Sequence, residues 1–138
     1  MRAFVIGARI WTAVALWINA YIHFVLAIPF DSVVGPLISQ GNLFRIQAVV
    51  NIVAGILILV LPRWWSGLFA AAVGAGGLLL LVLSVYIPLD LSTLGLPVIF
   101  EPIWYQDKIV AAVTQAFAVI GGLIVAARTR PQTARKPT

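Results

Sequence analysis

Residues 43–87 read LFRIQAVVNIVAGILILVLPRWWSGLFAAAVGAGGLLLLVLSVYI, two apolar runs that meet at Pro62-Arg63. Arg45 and Arg63 are the only charged side chains in this stretch. Each run has the ~20 residues that a helix needs to cross a ~30 Å hydrocarbon core. A helix satisfies its own backbone hydrogen bonds in lipid, so the stretch predicts two spans, at about 43–61 and 64–87. The Pro62-Arg63 turn is short enough that the two helices are expected to lie antiparallel and adjacent.

Working outward, two further apolar runs flank this hairpin, at about 10–29 and 108–127. The expected fold is therefore an all-α membrane protein, a four-transmembrane-helix antiparallel bundle in one domain (1–127). A basic cytoplasmic tail (128–138) without apolar periodicity follows it and is expected to be disordered. Composition agrees: 62% of residues are hydrophobic and 9% charged, whereas charged residues make up about a quarter of a soluble domain. The first run follows a short basic region, as in a signal peptide. It contains Asn19 and His23, however, and ends at Ala27-Ile28-Pro29 without a small-x-small cleavage site, so it is expected to remain as the first span.

Charge orients the threading. Arg2, Arg9, Arg63, Arg128, Arg130, Arg135 and Lys136 fall in the segments on one side, and Asp31, Asp90, Glu101 and Asp107 fall on the other with Arg45 and Lys108. The positive-inside bias then places both termini in the cytoplasm of a plasma (inner) membrane protein. Trp11, Trp64 and Trp65 are placed at the inner interface, with Tyr86, Trp104 and Tyr105 at the outer one. The basic excess reads as an orienting rim that touches membrane lipids, and no nucleic-acid partner is expected.

A weak repeat suggests two tandem helical hairpins. Ile28-Pro29-Phe30-Asp31, followed by Gly35-Pro36-Leu37-Ile38, recurs as Ile87-Pro88-Leu89-Asp90, followed by Gly95, Pro97, Val98 and Ile99; Arg45-Ile46 matches Lys108-Ile109. Chance recurrence among Ile, Leu, Val and Pro accounts for the pattern equally well. The outer connections, 30–42 and 88–107, are rich in Pro and Gly, and an exposed recognition surface is expected there.

Three amides, Asn19, Asn51 and Gln115, come to a common depth near the midplane and form a candidate polar layer. Their donors and acceptors have no partner in lipid, so they should face the interior, either as interhelical ties worth about 0.6–2 kcal/mol each or as part of a substrate site. Nearer the outer surface, His23, Arg45, Glu101, Asp107 and Lys108 form a candidate outer polar pocket. The bland reading has Arg45 and Lys108 pairing with Asp107 or Glu101 to fasten the ends of helices two and four. The sharper one makes a water-accessible pocket in which His23 titrates.

Helix three carries small residues on two faces: Ser66, Ala70 and Gly74 on one, Ala72 and Gly76 on the other. Such stripes let backbones approach closely. One face is expected to meet Ala118 and Gly122 of helix four, and the other to meet a partner outside the bundle.

Several activities are excluded by composition. The absence of cysteine removes thiol relays and thiolate metal sites. A bis-histidine haem between helices needs two imidazoles, and the chain has one histidine, with Met1 as its only methionine. No acidic residue lies deep in a span, as a proton-coupled exporter of cations would need, and no GxSxG motif is present. No catalytic residue, metal site or cofactor is therefore expected, and the chain reads as a non-enzyme.

The four spans, the Pro-Arg-Trp-Trp turn and the opening Gly41-Asn42-Leu43-Phe44-Arg45-Ile46-Gln47 of the second helix resemble small four-helix membrane proteins of actinobacteria. In general architecture these are similar to DoxX-like proteins. The resemblance implies an accessory role and carries over no functional residue. The expected function is a non-catalytic membrane protein acting by helix association, as an accessory or assembly subunit of a larger membrane complex or by self-association. The alternative is a small transporter or a lipid- or quinone-binding protein that uses the outer polar pocket.

Overall fold

The computed structural model describes residues 2–133 of the 138-residue chain. Four helices, α1 (Arg2–Ala27), α2 (Gln40–Val60), α3 (Trp64–Tyr86) and α4 (Gln106–Arg128), form an antiparallel bundle. All four are long and apolar enough to cross a membrane. The fold is all-α apart from a small hairpin between α3 and α4, where β1 (Leu89–Asp90) pairs antiparallel with β2 (Val98–Ile99) around a 3-10 turn at Ser92–Leu94. The residues expected to form a disordered tail divide: α4 includes Arg128, while 134–138 lie outside the described residues.

The helix α1 starts at Arg2 rather than near Ile10. Its 26 residues reach about 39 Å at ~1.5 Å per residue, longer than a ~30 Å hydrocarbon core. The extra turns have a structural use. Arg9 donates from Nε to Ile58 O at 3.0 Å and from Nη2 to Leu59 O, satisfying carbonyls that the C-terminus of α2 leaves unpaired. The following turn is closed by Ser66, whose buried hydroxyl accepts from Arg63 N (3.2 Å) and lies 2.7 Å from Leu61 O.

The interior is built from small side chains. Ala13, Ala15, Ala54, Ala70 and Ala118 are buried with Leu16, Ile58 and Val125, while many of the large apolar residues, such as Phe4, Ile18, Phe24, Val53 and Leu79, are exposed. Soluble proteins arrange size the other way; small interface residues with bulky apolar ones outside is the packing of helices in lipid. The helices α3 and α4 approach each other closely. A Cβ on Gly67 would stand 2.6 Å from Gly122 O, one on Gly122 would stand 2.6 Å from Gly67 O, and one on Gly74 would stand 2.8 Å from Gln115 O. Ala70, Gly74, Ala118 and Gly122 are all buried in this contact, whereas Ala72 and Gly76 face outward, with nothing within 4 Å of a Cβ at Gly76.

Around the bundle, α1 packs extensively on α2 and on α4, and α3 packs on α4. The contact between α2 and α3 is sparse by comparison. The two helices are adjacent, as expected, but less closely packed than the other neighbouring pairs. Pro62-Arg63 ties one pair of ends together, but no small-residue stripe holds the rest, and the opposite halves stand apart around a cavity.

Both long connections lie at the end of the bundle that carries the four acidic residues. They are pinned to each other and to the helices: Leu37 N donates to Gly95 O (2.9 Å), and Glu101 N donates to Ser84 O (2.8 Å). The left-handed backbone of Gly95 (φ 80°) makes the turn that presents that carbonyl. Instead of forming only an exposed surface, the loops roof the cavity with Leu91, Leu96 and Ile99.

Candidate functional site: a cavity between the second and third helices

The cavity has a volume of about 220 Å³. Its walls come from the loop-side halves of α2 (Leu43, Phe44, Ile46, Gln47) and α3 (Gly77, Leu80, Leu81, Ser84), with His23 and Leu26 of α1 and Lys108 and Ala111 of α4 behind. Ile46 and Leu80, at its edges, are exposed on the outer surface of the bundle. The lining is therefore mostly aliphatic and reaches the bundle's apolar exterior between α2 and α3.

Polar groups sit at two levels. Near the roof, Glu101 accepts from three donors: Lys108 Nζ at 3.2 Å, the Tyr105 hydroxyl at 3.1 Å and the Gln40 amide. Lys108 also donates to the Glu101 carbonyl at 2.8 Å and lies over the Tyr105 ring. The ion pair is nearly dry, with side-chain exposures of 4% for Lys108 and 13% for Glu101. Burial, and then the neighbouring Glu101 charge, push the Tyr105 hydroxyl well above its usual pKa, so it remains a donor at every physiological pH. His23, also buried, donates Nδ1–H to Asn19 O (2.8 Å), and its ring stands edge-to-face with that of Phe44.

Of the five residues expected in one polar pocket, the structure brings together His23, Glu101 and Lys108. Arg45 and Asp107 do not join them. Arg45 makes a two-pronged pair with Asp31 (2.6 and 2.8 Å) on the surface, and also donates to Asn42. The expected pairing with Asp107 or Glu101 fails because the turn at 28–31 delivers Asp31 to Arg45 first. That guanidinium holds the Asp31 carboxyl below its usual pKa, chiefly through the hydrogen bonds. Asp107 is exposed in the first turn of α4, where its charge complements the helix N-terminus. Gln40 and Tyr105 were not foreseen as site residues. Gln40 precedes the expected start of α2, and Tyr105 read as an interface aromatic.

Deeper in the bundle the expected amide layer splits. Asn19 Nδ2 donates to Asn51 Oδ1 at 3.0 Å, and Asn51 Nδ2 donates to Gln47 O at 2.7 Å. Gln115 turns instead toward α3 and Gln47. A Cβ on Gly77 would overlap Gln115 Nε2 and stand 2.8 Å from Gln47 Nε2, so both amides crowd the bare face of Gly77; Gln47 and Gly77 line the cavity floor, and Gln115 lies against them just outside the lining. Among the described residues Gln115 Nε2, Gln115 Oε1, Gln47 Nε2 and Asn19 Oδ1 are buried without a hydrogen-bond partner. Glycine at 77 is what admits both glutamines.

No group of three potential metal ligands occurs among the described residues. The arrangement can hold an apolar molecule with hydrogen-bonding groups. No family model, curated protein or solved structure matches the chain.

Proposed function

We propose that this is a non-catalytic, multi-pass plasma-membrane protein, with both termini cytoplasmic, that binds a lipid-like molecule entering from the outer leaflet between α2 and α3. The observation that carries the reading is the cavity itself: aliphatic walls, an edge at Ile46 and Leu80 on the lipid-facing surface, and polar groups confined to roof and floor. Charge asymmetry supports the orientation, because the cavity lies at the end that carries all four acids. Deep pockets with mostly apolar lining and a few placed polar groups are the usual form of small-molecule sites.

Native mass spectrometry of the protein extracted in mild detergent tests the proposal. Wild type is expected to retain one lipid-sized adduct. Leu81→Trp, which fills the cavity, should lose it, and Leu79→Trp, on the exposed face beside it, should not. An adduct unaffected by Leu81→Trp would refute the assignment.

A second reading, association with a second copy or as an accessory subunit of a membrane complex, is favoured by the outward small-residue face of Ala72 and Gly76. Gly76→Leu would then shift the oligomer distribution without changing lipid retention.

A further inference from the structure

We infer that the cavity recognises its ligand at the floor, through Gln47 and Gln115, and that the ligand is an uncharged lipid whose polar terminus is a hydroxyl or carbonyl, inserted head first toward the bundle centre. This rests on the cavity being the binding site. The polar groups at the two ends are in opposite states. At the roof Glu101 has three donors and Lys108 has the carboxylate and a carbonyl, so that ion pair is complete without a ligand. At the floor the Gln115 side chain is buried to 1% exposure with both polar atoms unpartnered among the described residues, and Gln47 Nε2, in the cavity lining, is likewise unpartnered.

Buried amides left without partners are costly, more so than the hydrogen bonds they forgo are rewarding. Gln47 stands at the cavity floor and Gln115 meets it across Gly77 just behind the lining, so a ligand head that pushes into the floor would find donors from both amides and an acceptor from Gln115. Amide orientation can exchange the Gln115 donor and acceptor, but the pair still presents both kinds of group. A hydroxyl uses a donor and an acceptor; a carbonyl uses donors. A charged head is disfavoured, because no ionisable residue stands at the floor and the Lys108–Glu101 pair at the roof is mutually neutralised.

The same geometry predicts a trade-off. Gln115→Leu removes two orphaned polar atoms and leaves a side chain of similar volume, so the ligand-free protein should be no less stable than wild type while losing ligand affinity. An amide that served only as an interhelical tie would behave in the opposite way.

Binding of radiolabelled hexadecanol, hexadecane and palmitate (at pH 9, as the carboxylate) to the full chain in nanodiscs, with thermal unfolding measured in parallel, tests this. Wild type is expected to bind hexadecanol about tenfold more tightly than either other probe. Gln115→Leu should weaken hexadecanol about five- to tenfold and leave hexadecane unchanged, with the melting temperature held or raised. Equal wild-type affinity for hexadecanol and hexadecane, tighter binding of palmitate, or a Gln115→Leu variant that melts lower and binds hexadecanol as before would each overturn the inference. If Leu81→Trp leaves the binding of all three probes intact, the cavity is not the site and the broader proposal fails with it. If Leu81→Trp abolishes binding while Gln115→Leu does nothing, only the head-first orientation fails.

Discussion

Replacing Lys108 with methionine keeps most of the side-chain volume and removes the ammonium that faces Glu101. In the structure that ammonium lies 3.2 Å from the carboxylate and 2.8 Å from the Glu101 carbonyl, at 4% side-chain exposure. Breaking a buried pair by removing one partner typically costs about 3–5 kcal/mol, because the remaining charge is uncompensated. Here Glu101 keeps the Tyr105 hydroxyl and the Gln40 amide, which places the expected loss for Lys108→Met near the lower end, about 3 kcal/mol. Glu101→Gln in the Lys108→Met background should recover part of that loss, giving a coupling of at least ~1 kcal/mol between the two sites. Unfolding by SDS titration in mixed micelles, followed by tryptophan fluorescence, reads all four corners of the cycle. Because Glu101 N also bonds Ser84 O, Lys108→Met should further raise amide exchange across 87–105, the segment that roofs the cavity. A single substitution within ~0.5 kcal/mol of wild type, or strictly additive effects, would show that the pair is hydrated and that the roof is not held as described.

Two other outcomes follow from the same geometry. The Asp31 carboxyl has its pKa depressed by Arg45, so its contribution to stability is fully present above the unfolded-state value of about 3.9 and is lost as pH falls through the lower folded-state value. Melting curves of wild type and Asp31→Asn should therefore differ at pH 7 and converge toward pH 3; a gap that widens in acid would contradict the pairing. At the α3–α4 contact, Gly122→Ala would put a methyl 2.6 Å from Gly67 O and 2.7 Å from Ala71 N, backbone atoms that move only if the helices separate, and it should cost about 1–3 kcal/mol. Gly76→Ala, which meets open space, should lose nothing and gain up to ~1 kcal/mol from helix propensity. The same SDS titration distinguishes them, and equal effects would mean that the packed face has been misassigned.

How far the candidate site could be read from the residues depended on how local the signal was. His23 and Lys108 were placed near the acid-bearing ends of their helices by counting residues, and the cavity brings them together with Glu101. Arg45 was placed equally well along its helix but committed to Asp31, because the choice of partner lies with a loop of irregular backbone. Asn19 and Asn51 meet as their common depth suggested. Gln115, at the same level, turned toward Gly77, since rotation of the helix about its axis is set by the Gly67–Gly122 contact rather than by hydropathy.

Span number and the two small-residue faces of α3 were determined by the sequence alone, because the count of apolar runs and four-residue periodicity are properties of the chain that need no neighbour. The separation of α2 from α3, the roof made by the loops and the unpartnered glutamines at its floor were decided only in the tertiary structure. A three-residue turn constrains one end of a helix pair, and whether the other end closes depends on how tightly α1 and α4 draw their own partners in.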